Sequence, residues 1–309
     1  MATHRHKRQR QTVTLLFFSL LLFLAGCGES GKEANREVDW KKGHGVLSSQ
    51  IGHPDSPKGD FFVPPNSYLT SFGELVDQTE YDMPTGQWFM HNGEGQLGYG
   101  LSSGTMRAGE DYVVTLGHHN GSVTIDKNVR IQLTARDQTY ARSELIVEDI
   151  VHVDAVTNEQ DIYVNQLPDK ENVVYVLSVE ILDRHSQVED TMVGMIYVPT
   201  PEINAQLTTD QDVYDKSDEK ATIKLENAGP TFLSLGTYYT IEKKVNDEWK
   251  VVPLETGFND IAILLNPNEL YDQTIDLNQL TPGTYRVVKA FESTGLELSA
   301  TLAAQFSVE

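Results

Sequence analysis

Cysteine is almost absent from this sequence, because Cys27 is the only one among 309 residues. A single cysteine excludes a disulfide bond within the chain and a zinc site built from several cysteines. The folded part must therefore be held together by its hydrophobic core and its hydrogen bonds. The roughly 280 residues that follow the first 26 are enough for two domains of ordinary size.

Basic residues are also scarce: 24 lysines and arginines stand against 45 aspartates and glutamates, and the formal net charge is −21. Four of the basic residues lie before Cys27, so the remainder of the chain carries 20 basic and 45 acidic residues. A surface this acidic repels the phosphates of nucleic acids and of anionic lipids. We therefore expect no nucleic-acid partner.

Sequence motifs of catalysis are the third feature that is missing. The sequence contains no His-Glu-x-x-His motif, and we interpret nothing in it as a nucleophile elbow or a phosphate-binding loop. The glycines between Gly93 and Gly104 are interpreted as one long loop. We therefore expect no enzyme and no cofactor, and a hydrolase site assembled from distant residues stays open as an alternative.

The N-terminus has the three parts of a secretory signal. A basic segment from Arg5 to Arg10 is followed by an apolar segment from Leu15 to Ala25 and then by small residues. A membrane-spanning helix needs about 20 apolar residues. Because the apolar segment is much shorter, the pattern favours a cleaved signal over a spanning helix.

The residues Leu24-Ala25-Gly26-Cys27 end this segment and resemble the lipobox of bacterial lipoproteins. The resemblance implies that residues 1–26 are a lipoprotein signal peptide and that Cys27 is the lipid attachment site, with palmitate as one of the acyl chains. Stable attachment needs two or more chains. The expected location is the cell membrane, lipid-anchored on its extracytoplasmic side, so the membrane is the first expected partner. Gram-positive and Gram-negative envelopes both stay open.

Residues 27–60 are rich in glycine, serine, proline and charged residues and contain few large apolar ones. This composition predicts a flexible tether between the lipid and the first folded domain. Docking of Trp40 or of Val46-Leu47 onto a domain is the alternative for that part of the tether.

From residue 61 onward, apolar residues recur at every second position, and no long segment has helical periodicity. Short alternating segments are separated by turn residues, which predicts an all-β protein with two tandem β-sandwich (Ig-like) domains. Asn120-Gly121 lies between two such segments and predicts a hairpin turn. Pro199-Thr200-Pro201 interrupts the pattern, so we expect domains at 61–198 and 202–309.

The segment Pro282-Gly283-Thr284-Tyr285 predicts a tyrosine corner. The Pro-Gly pair makes a tight turn, and the tyrosine follows just inside the next strand, where its hydroxyl can bond back to the corner backbone. Together with Ile223–Asn227 and Trp249, this segment resembles bacterial Ig-like domains of envelope proteins, of the type without disulfides. The resemblance implies a non-catalytic β-sandwich at 202–309.

A short segment of the first domain is weakly similar in sequence to a segment of this domain. Ile162–Pro168 resembles Ile275–Leu280, and Tyr175 follows at a slightly longer distance than the corner tyrosine does. A repeat at this offset would make two tandem Ig-like sandwiches. The alternative is that the domain at 61–198 is an unrelated β-sandwich.

Two groups of polar side chains are candidate metal ligands. Asp210, Asp212 and Asp215 supply the oxygen ligands that Ca²⁺ prefers, but they lack the spacing of an EF-hand, so a solvated acidic turn is the favoured interpretation. His118 and His119 lie beside the predicted hairpin turn. A zinc site needs three or four converging ligands, so exposed loop histidines are favoured for this pair.

The glycine-rich loop from Gly93 to Gly100 is a further candidate for binding, since long loops on rigid sandwiches often carry function. Aromatic and polar residues near this loop are candidates for a ligand face: Trp88, Phe89, His91, Tyr99 and Arg107. For Trp88, and for Trp249 in the second domain, burial in the core is the favoured interpretation.

These observations predict a lipid-anchored extracytoplasmic surface protein whose β-sandwich modules bind without catalysis. The expected partner, besides the membrane, is an extracellular protein or glycan. The alternative is a small-ligand or cation-binding accessory lipoprotein of an envelope transporter or sensor. A deep pocket with convergent polar groups would favour the alternative.

We predict that Cys27→Ala abolishes lipid attachment, because the resemblance to the lipobox makes this thiol the attachment atom. The variant is expected to stay uncleaved or to be released from the membrane. Labelling of cells with a fatty-acid analogue, followed by fractionation, measures both effects. Ser30→Ala is the control and should keep the label. Unchanged label in the Cys27 variant would contradict the lipoprotein assignment.

Overall fold

The structure is a computed structural model that describes residues 37–53 and 72–309. The predicted signal peptide, Cys27 and parts of the predicted tether lie outside these residues. Among the described residues, none of the helices is long and apolar enough to cross a membrane. A short 3-10 helix, Glu37–Asp39, belongs to an N-terminal unit, and residues 40–309 form a second compact unit.

Strands dominate the described part of the chain, which confirms the all-β prediction. β1 (Gln50–Ile51) precedes α1 (Phe72–Asp77), a short helix. The first module, described from residue 72 to residue 198, contains β2 (Gly98–Leu101), β3 (Gly104–Thr105), β4 (Asp111–Arg136), β5 (Arg142–Gln166), β6 (Val173–Leu182) and β7 (Val188–Val198). The second module, residues 202–309, contains β8 (Ala205–Thr209), β9 (Val213–Tyr214), β10 (Lys220–Asn227), β11 (Leu233–Leu235), β12 (Thr240–Val245), β13 (Glu248–Val251), β14 (Ile263–Leu265), β15 (Leu270–Asp276), β16 (Gly283–Ser293) and β17 (Ser299–Val308).

A long hairpin of β4 and β5 builds most of the first module. β4 has 26 residues and β5 has 25, whereas most strands have about three to ten. The first part of β4 lies between β5 and β2, and its last part lies between β5 and β6. β7 and then β3 extend the sheet beyond β6.

The hairpin bends, so that both of its halves cover one hydrophobic core. In the first half of β4, even-numbered residues such as Tyr112 and Leu116 are buried, whereas in the second half odd-numbered residues such as Ile131 enter the same core. The inward-facing parity of β4 changes once, between Leu116 and Val123, where the pairing with β5 shifts register after Gly117. It does not change at the shift after Thr124, because Ile125 and Val129 are both odd-numbered and both buried in this core. A straight strand of this length would span about 86 Å. The bend therefore turns one hairpin into the two layers of a sandwich.

The predicted hairpin turn at Asn120-Gly121 is wrong. These residues lie inside β4, which runs through them, and Gly121 has a positive φ of 84°. They interrupt the pairing with β5 between Gly117 and Ser122 without reversing the chain. Asn-Gly suits left-handed backbone in a two-residue turn and in a β-bulge alike, so the local sequence fits both outcomes.

A short helix covers the opposite face of the sheet. Leu75 and Val76 of α1, together with Tyr81, pack with Val176 of β6 and Val193 of β7. This contact explains why β6 is buried along its whole length, on both faces. The first module therefore has a third layer, which its sequence pattern did not predict.

The second module is a sandwich of two sheets around its own core. One sheet has the strand order β1-β8-β10-β15. The other joins β13, β12, β16, β11 and β14, with β17 on the opposite side of β16 and β9 paired to β17. Buried residues from both sheets share one cluster, among them Leu207, Ile223, Ile275, Ile241, Val287 and Phe306. The β-sandwich prediction is confirmed for residues 202–309.

The tyrosine corner of the second module is confirmed. Tyr285 is buried, its hydroxyl donates to the carbonyl oxygen of Thr281 at 2.5 Å, and it accepts from the Thr281 N–H at 3.1 Å. Its ring stacks on Phe306 with a centroid distance of 5.7 Å. Tyr175 of the first module is also buried, but its hydroxyl has no hydrogen-bond partner among the described residues. The sequence similarity therefore does not produce a second tyrosine corner.

Residues 40–53, here called the strap, are bound to the second module, although the sequence predicts a flexible tether there. The carbonyl of Lys41 and the N–H of Gly43 pair with the backbone of Val251 and Trp249 on β13, each at 2.8 Å. Further along, β1 adds to the edge of β8. Exposed sheet edges carry unpaired backbone groups, and the strap satisfies those groups on both sheets. For the strap the tether prediction is corrected.

A buried ion pair fastens the strap. Glu242 is fully buried and accepts a hydrogen bond from Nε of Arg286 at 2.7 Å, and Nη2 of Arg286 lies 2.6 Å from the same carboxylate oxygen. The strap residue His44 donates its backbone N–H to the same carboxylate, at 2.9 Å, and brings Nδ1 to within 2.7 Å of it. Burial raises the pKa of Glu242, but the hydrogen bonds from His44 and Arg286 outweigh burial and hold the pKa below its usual value. Trp249 lies over the Arg286 guanidinium at 4.3 Å and is half-buried, so its predicted place in the core is wrong.

The two modules pack directly against each other. Tyr197 of β7 donates its hydroxyl to the carbonyl oxygen of Pro230 at 2.8 Å and contacts Phe232 edge-on, with ring centroids 5.5 Å apart. Tyr140 and Val174 complete this apolar cluster. Contacts across the interface therefore supplement the short proline-containing link.

We predict that Tyr285→Phe lowers the free energy of unfolding by about 1 kcal/mol, the net contribution of one hydrogen bond. Tyr285→Ala should cost about 3–5 kcal/mol, because it also removes a buried ring. Urea unfolding of the full chain measures both values. Tyr238, which is 63% exposed, provides the control Tyr238→Phe, expected to change stability by less than about 0.5 kcal/mol. Equal effects of the two Phe variants would contradict the corner hydrogen bond.

Candidate functional site

An open groove of about 500 Å³ lies on the solvent side of the first module. β2, β4 and β5 run side by side there. The groove is lined by Met90, Gly98, Tyr99, Gly100, Thr115, Gly117, His118, His119, Asn158 and Glu159. This volume lies within the range of about 300–1,000 Å³ that is usual for ligand sites.

Bare backbone forms much of the groove. Gly98 of β2 pairs with Gly117 of β4, and Gly100 pairs with Thr115. A Cβ built at Gly98 or at Gly117 would meet its nearest protein atom at 3.6 or 3.5 Å, an ordinary contact, and neither glycine has a positive φ. The fold itself does not require glycine at these positions. Glycine inside a strand can mark a place where another molecule approaches the backbone closely.

The walls of the groove are polar and aromatic. Tyr99 is 42% exposed and its ring meets buried Phe89 edge-on, with centroids 5.7 Å apart. Partial burial raises the pKa of Tyr99, so its hydroxyl stays neutral and can both donate and accept. The Nδ1 of His118 lies 2.9 Å from the carbonyl oxygen of Gln96, which can only accept. Nδ1 is therefore the donor of this hydrogen bond.

A buried carboxylate holds the loop beside the groove. Asp190 of β7 is 1% exposed and accepts hydrogen bonds from four backbone N–H groups at 2.8–3.0 Å: those of Thr85, Trp88, Phe89 and Thr191. A carboxylate with this many donors is strongly fixed. The aromatic residues of the loop are thereby fixed with respect to β7.

Glycine allows the same loop to turn back on itself. Gly95 has a φ of 84°, and a Cβ there would lie only 2.1 Å from the carbonyl oxygen of Phe89. Any other residue at this position would clash with the backbone. Leu97, two residues later, donates its N–H to the carbonyl of Trp88 at 2.8 Å. The glycine-rich segment is therefore a compact turn that leads into β2.

Two glycine patterns match known motifs but lack their structural context. Gly93–Gly98 has the spacing Gly-x-Gly-x-x-Gly, and Gly100–Gly104 has the spacing Gly-x-Ser-x-Gly. A phosphate loop and a nucleophile elbow both require a helix after the glycines, whereas here the two segments lead into β2 and β3. Ser102 accepts a hydrogen bond from the N–H of Val113 at 2.9 Å. These glycines therefore belong to turns and strands of the sheet and not to a phosphate loop or a nucleophile elbow.

The candidate ligand face of the sequence analysis is only partly assembled. Tyr99 lies in the groove, but Phe89 is fully buried in the core. Arg107 turns away and donates to the carbonyl oxygen of Leu296 in the second module at 2.5 Å. Trp88 is predicted to be buried in the core, and the structure shows it half-buried against the core. Its Nε1 donates a hydrogen bond to Glu189 at 2.8 Å.

His118 and His119 are strand residues of β4 and not loop residues beside a turn. Both line the groove, opposite Asn158 and Glu159 of β5. The sequence analysis missed these β5 residues as site candidates, because the pairing of β4 with β5 is visible only in the structure. The Gly98–Gly117 pair was missed for the same reason.

Of the three calcium candidates, Asp210 has a local structural role. Asp210 accepts from the hydroxyl of Tyr214 and from the N–H of Thr222, each at 2.7 Å. Burial raises the pKa of Asp210, but these hydrogen bonds outweigh it and lower the pKa. Within residues 202–309, the carboxylates of Asp210, Asp212 and Asp215 do not form a group with ligand atoms within 4.8 Å of one another. The arrangement fits the acidic turn.

A different group of side chains has the spacing of metal ligands. In the described part of the chain, Asp126, His152 and Asp154 bring one ligand atom each to within 4.8 Å of the others. The sequence signal was His-x-Asp on one strand, where alternate residues share a face. Asp126 comes from the neighbouring strand, so only the register of β4 against β5 identifies it.

Comparison with protein families gives one match. Residues 201–307 match the family of bacterial Ig-like domains. This match agrees with the sandwich, the tyrosine corner and the resemblance drawn from the sequence for the C-terminal third of the chain. The second module is accordingly called the Ig-like domain below. No curated protein matches the chain.

Comparison with solved structures gives weak matches, among them an enzyme, an alpha-2-macroglobulin and a chaperone. The red sea bream transglutaminase is 12% identical with a TM-score of 0.30, and the alignment covers 69% of this chain and 31% of the enzyme. The Escherichia coli alpha-2-macroglobulin activated by porcine elastase is 10% identical with a TM-score of 0.25, at coverages of 69% and 22%. The class 5 fimbriae chaperone CfaA is 13% identical with a TM-score of 0.31, at coverages of 68% and 98%. This chain thus spans less than a third of the first two proteins.

We predict that Asp190→Ala lowers the free energy of unfolding by about 3 kcal/mol, because it leaves several buried N–H groups without an acceptor. Asp190→Asn keeps one acceptor oxygen and should cost less. Urea unfolding of the full chain, followed by circular dichroism, measures the difference. Asp169 is exposed, and Asp169→Ala is the control. If both Ala variants unfold at the same urea concentration, the carboxylate does not hold the loop.

Proposed function

We propose that this protein is a lipid-anchored extracytoplasmic surface protein that binds a partner through the groove of its first module. The anchor rests on the lipobox resemblance at Cys27, which lies outside the described residues. Its all-β architecture and the Ig-like domain fit a non-catalytic interaction module. The groove supplies the binding surface.

The observation that carries this proposal is the glycine pair at the groove. Gly98 and Gly117 leave open a space that the fold does not need. Gly in a strand weakens the strand, since it adds backbone entropy to the unfolded chain and gives no side chain to pack. Two paired glycines that both lower the stability of the strands at the candidate site are explained if a ligand occupies the space beside them.

The chemistry of the walls favours a saccharide. Tyr99, His118, Asn158 and Glu159 offer an aromatic ring, donors and acceptors within one groove, which suits the alternating hydroxyl and C–H surfaces of a sugar. The openness of the groove suits part of a longer chain. The acidic surface of the protein favours a neutral or basic glycan over an anionic one. An extended segment of an extracellular protein is the other candidate ligand.

The Ig-like domain would then act as a spacer next to the membrane. The strap begins at Trp40, and the 13 residues from Cys27 to that point can reach at most about 45 Å. Because the strap is bound to the Ig-like domain, that domain would lie within this distance of the lipid. The first module would present its groove to the surroundings.

A small-ligand accessory lipoprotein is the second candidate function. The groove volume of about 500 Å³ equals that of many small-molecule sites. Competition separates the candidates: a monosaccharide or another small ligand that binds as tightly as a polymer favours the accessory role. Tighter binding of longer oligosaccharides favours the surface-binding role.

We predict that Gly98→Val abolishes binding while leaving stability unchanged or higher. The added methyl groups fill the groove, and valine suits a strand better than glycine. Binding to an array of neutral oligosaccharides, together with urea unfolding, gives the two readouts. Gly257→Val, at a position with no protein atom within 4 Å of a built Cβ, is the control. Equal array binding by both variants would show that the groove is not the binding surface.

A further inference from the structure

Three polar side chains meet on the solvent side of the bend in the β4–β5 hairpin. The Nε2 of His152 lies 3.4 Å from a carboxylate oxygen of Asp126 and 3.2 Å from one of Asp154. All three side chains are exposed, at 52%, 78% and 91% respectively. The groove described above does not include any of them.

The register shift of the hairpin after Thr124 creates this arrangement. Thr124 pairs with Ala155 and Lys127 pairs with Val153, so Ile125 and Asp126 of β4 together oppose only Asp154 of β5. Ile125 is buried in the core, and Asp126 has a positive φ of 44°. Ile125 faces the core and Asp126 faces solvent, and the bulge leaves Asp126 outside the pairing, beside the two ligand candidates on β5.

The distances match those between ligands of a tetrahedral zinc ion. Zinc binds histidine nitrogen at about 2.0–2.1 Å and carboxylate oxygen at about 2.0–2.2 Å. The edge of a tetrahedron with such bonds is about 3.3–3.5 Å long. The two distances from His152 Nε2 lie close to this value, so an ion fits with little movement of exposed, adjustable carboxylates.

The other nitrogen of His152 has the partner that metal-binding histidines usually have. Nδ1 lies 3.0 Å from Oδ1 of Asn128, which pairs directly with His152 across the two strands. An amide oxygen accepts the proton of Nδ1, which leaves the lone pair of Nε2 for an ion between the carboxylates. Outer partners of this kind fix the tautomer and the ring orientation.

From this geometry we propose that Asp126, His152 and Asp154 bind a divalent transition-metal ion, zinc in particular, at the bend of the first module. A nitrogen ligand favours zinc over Ca²⁺ or Mg²⁺, which take oxygen ligands. Three protein ligands leave a fourth position for water or for a group from a binding partner. The ion cross-links β4 and β5 where the hairpin bends. The competing interpretation is a protonated His152 held between two carboxylates without a metal.

Calorimetric titration of the full chain in detergent, purified without an affinity tag, tests this proposal with zinc chloride. We expect one zinc ion per chain at a site that His152→Gln removes. Asp126→Asn and Asp154→Asn should each weaken it, and Asn128→Ala should weaken it by about tenfold through the outer hydrogen bond. His185→Gln, at an exposed histidine of the β6–β7 turn, is the matched control and should bind zinc as the unaltered chain does.

Two further readouts fix the ligands and the ion. Cobalt(II) in place of zinc should give the strong visible absorption of a tetrahedral site, and His152→Gln should remove it. Calcium chloride should give no heat of binding at this site. Zinc binding that is the same in the His152 and His185 variants, or no zinc binding at all, overturns the proposal. Binding of saccharides is a separate measurement, so either proposal can fail without the other.

Discussion

One bent hairpin is the constraint on which the first module depends. β4 and β5 have 26 and 25 residues, more than four times the about five to six residues of a typical strand, and a regular ladder keeps one set of side chains on one face. Residues such as Leu116 and Ile131 can share a core only because the inward-facing parity changes between them. The register shift after Gly117 provides that change. Without it, the apolar residues of one half of β4 would face solvent.

The same irregularities shape the polar features of the module. The groove lies beside the shift after Gly117, where His118 and His119 follow this last paired residue. The His152 cluster lies at the shift after Thr124. Bulges redirect side chains and are common next to functional sites. In this protein the register shifts of the β4–β5 hairpin lie next to both the groove and the His152 cluster.

In the Ig-like domain, the strap pairs with the exposed edges of the two sheets. These edges lie on β13 and β8. The Glu242–Arg286 pair stabilises this contact because His44 of the strap completes the hydrogen bonds of the carboxylate. Gly43 permits the approach, since a Cβ there would lie 2.6 Å from the carboxyl carbon of Glu242. The strap is thereby tied to the domain by backbone pairing and by charge.

By itself, the sequence determined the all-β class, many of the strands and the tyrosine corner at Tyr285, because alternation and Pro-Gly turns act over a few residues. Its composition also gives the acidic net charge of −21, and the signal peptide at the N-terminus stays a prediction. Only the tertiary structure decided that Asn120-Gly121 is a bulge and not a turn, since the local backbone preference is the same for both. It also decided the docking of the strap, and it brought together His118 with Glu159 and Asp126 with His152. These contacts join residues far apart in the chain, and they depend on strand register, which no short stretch of sequence encodes.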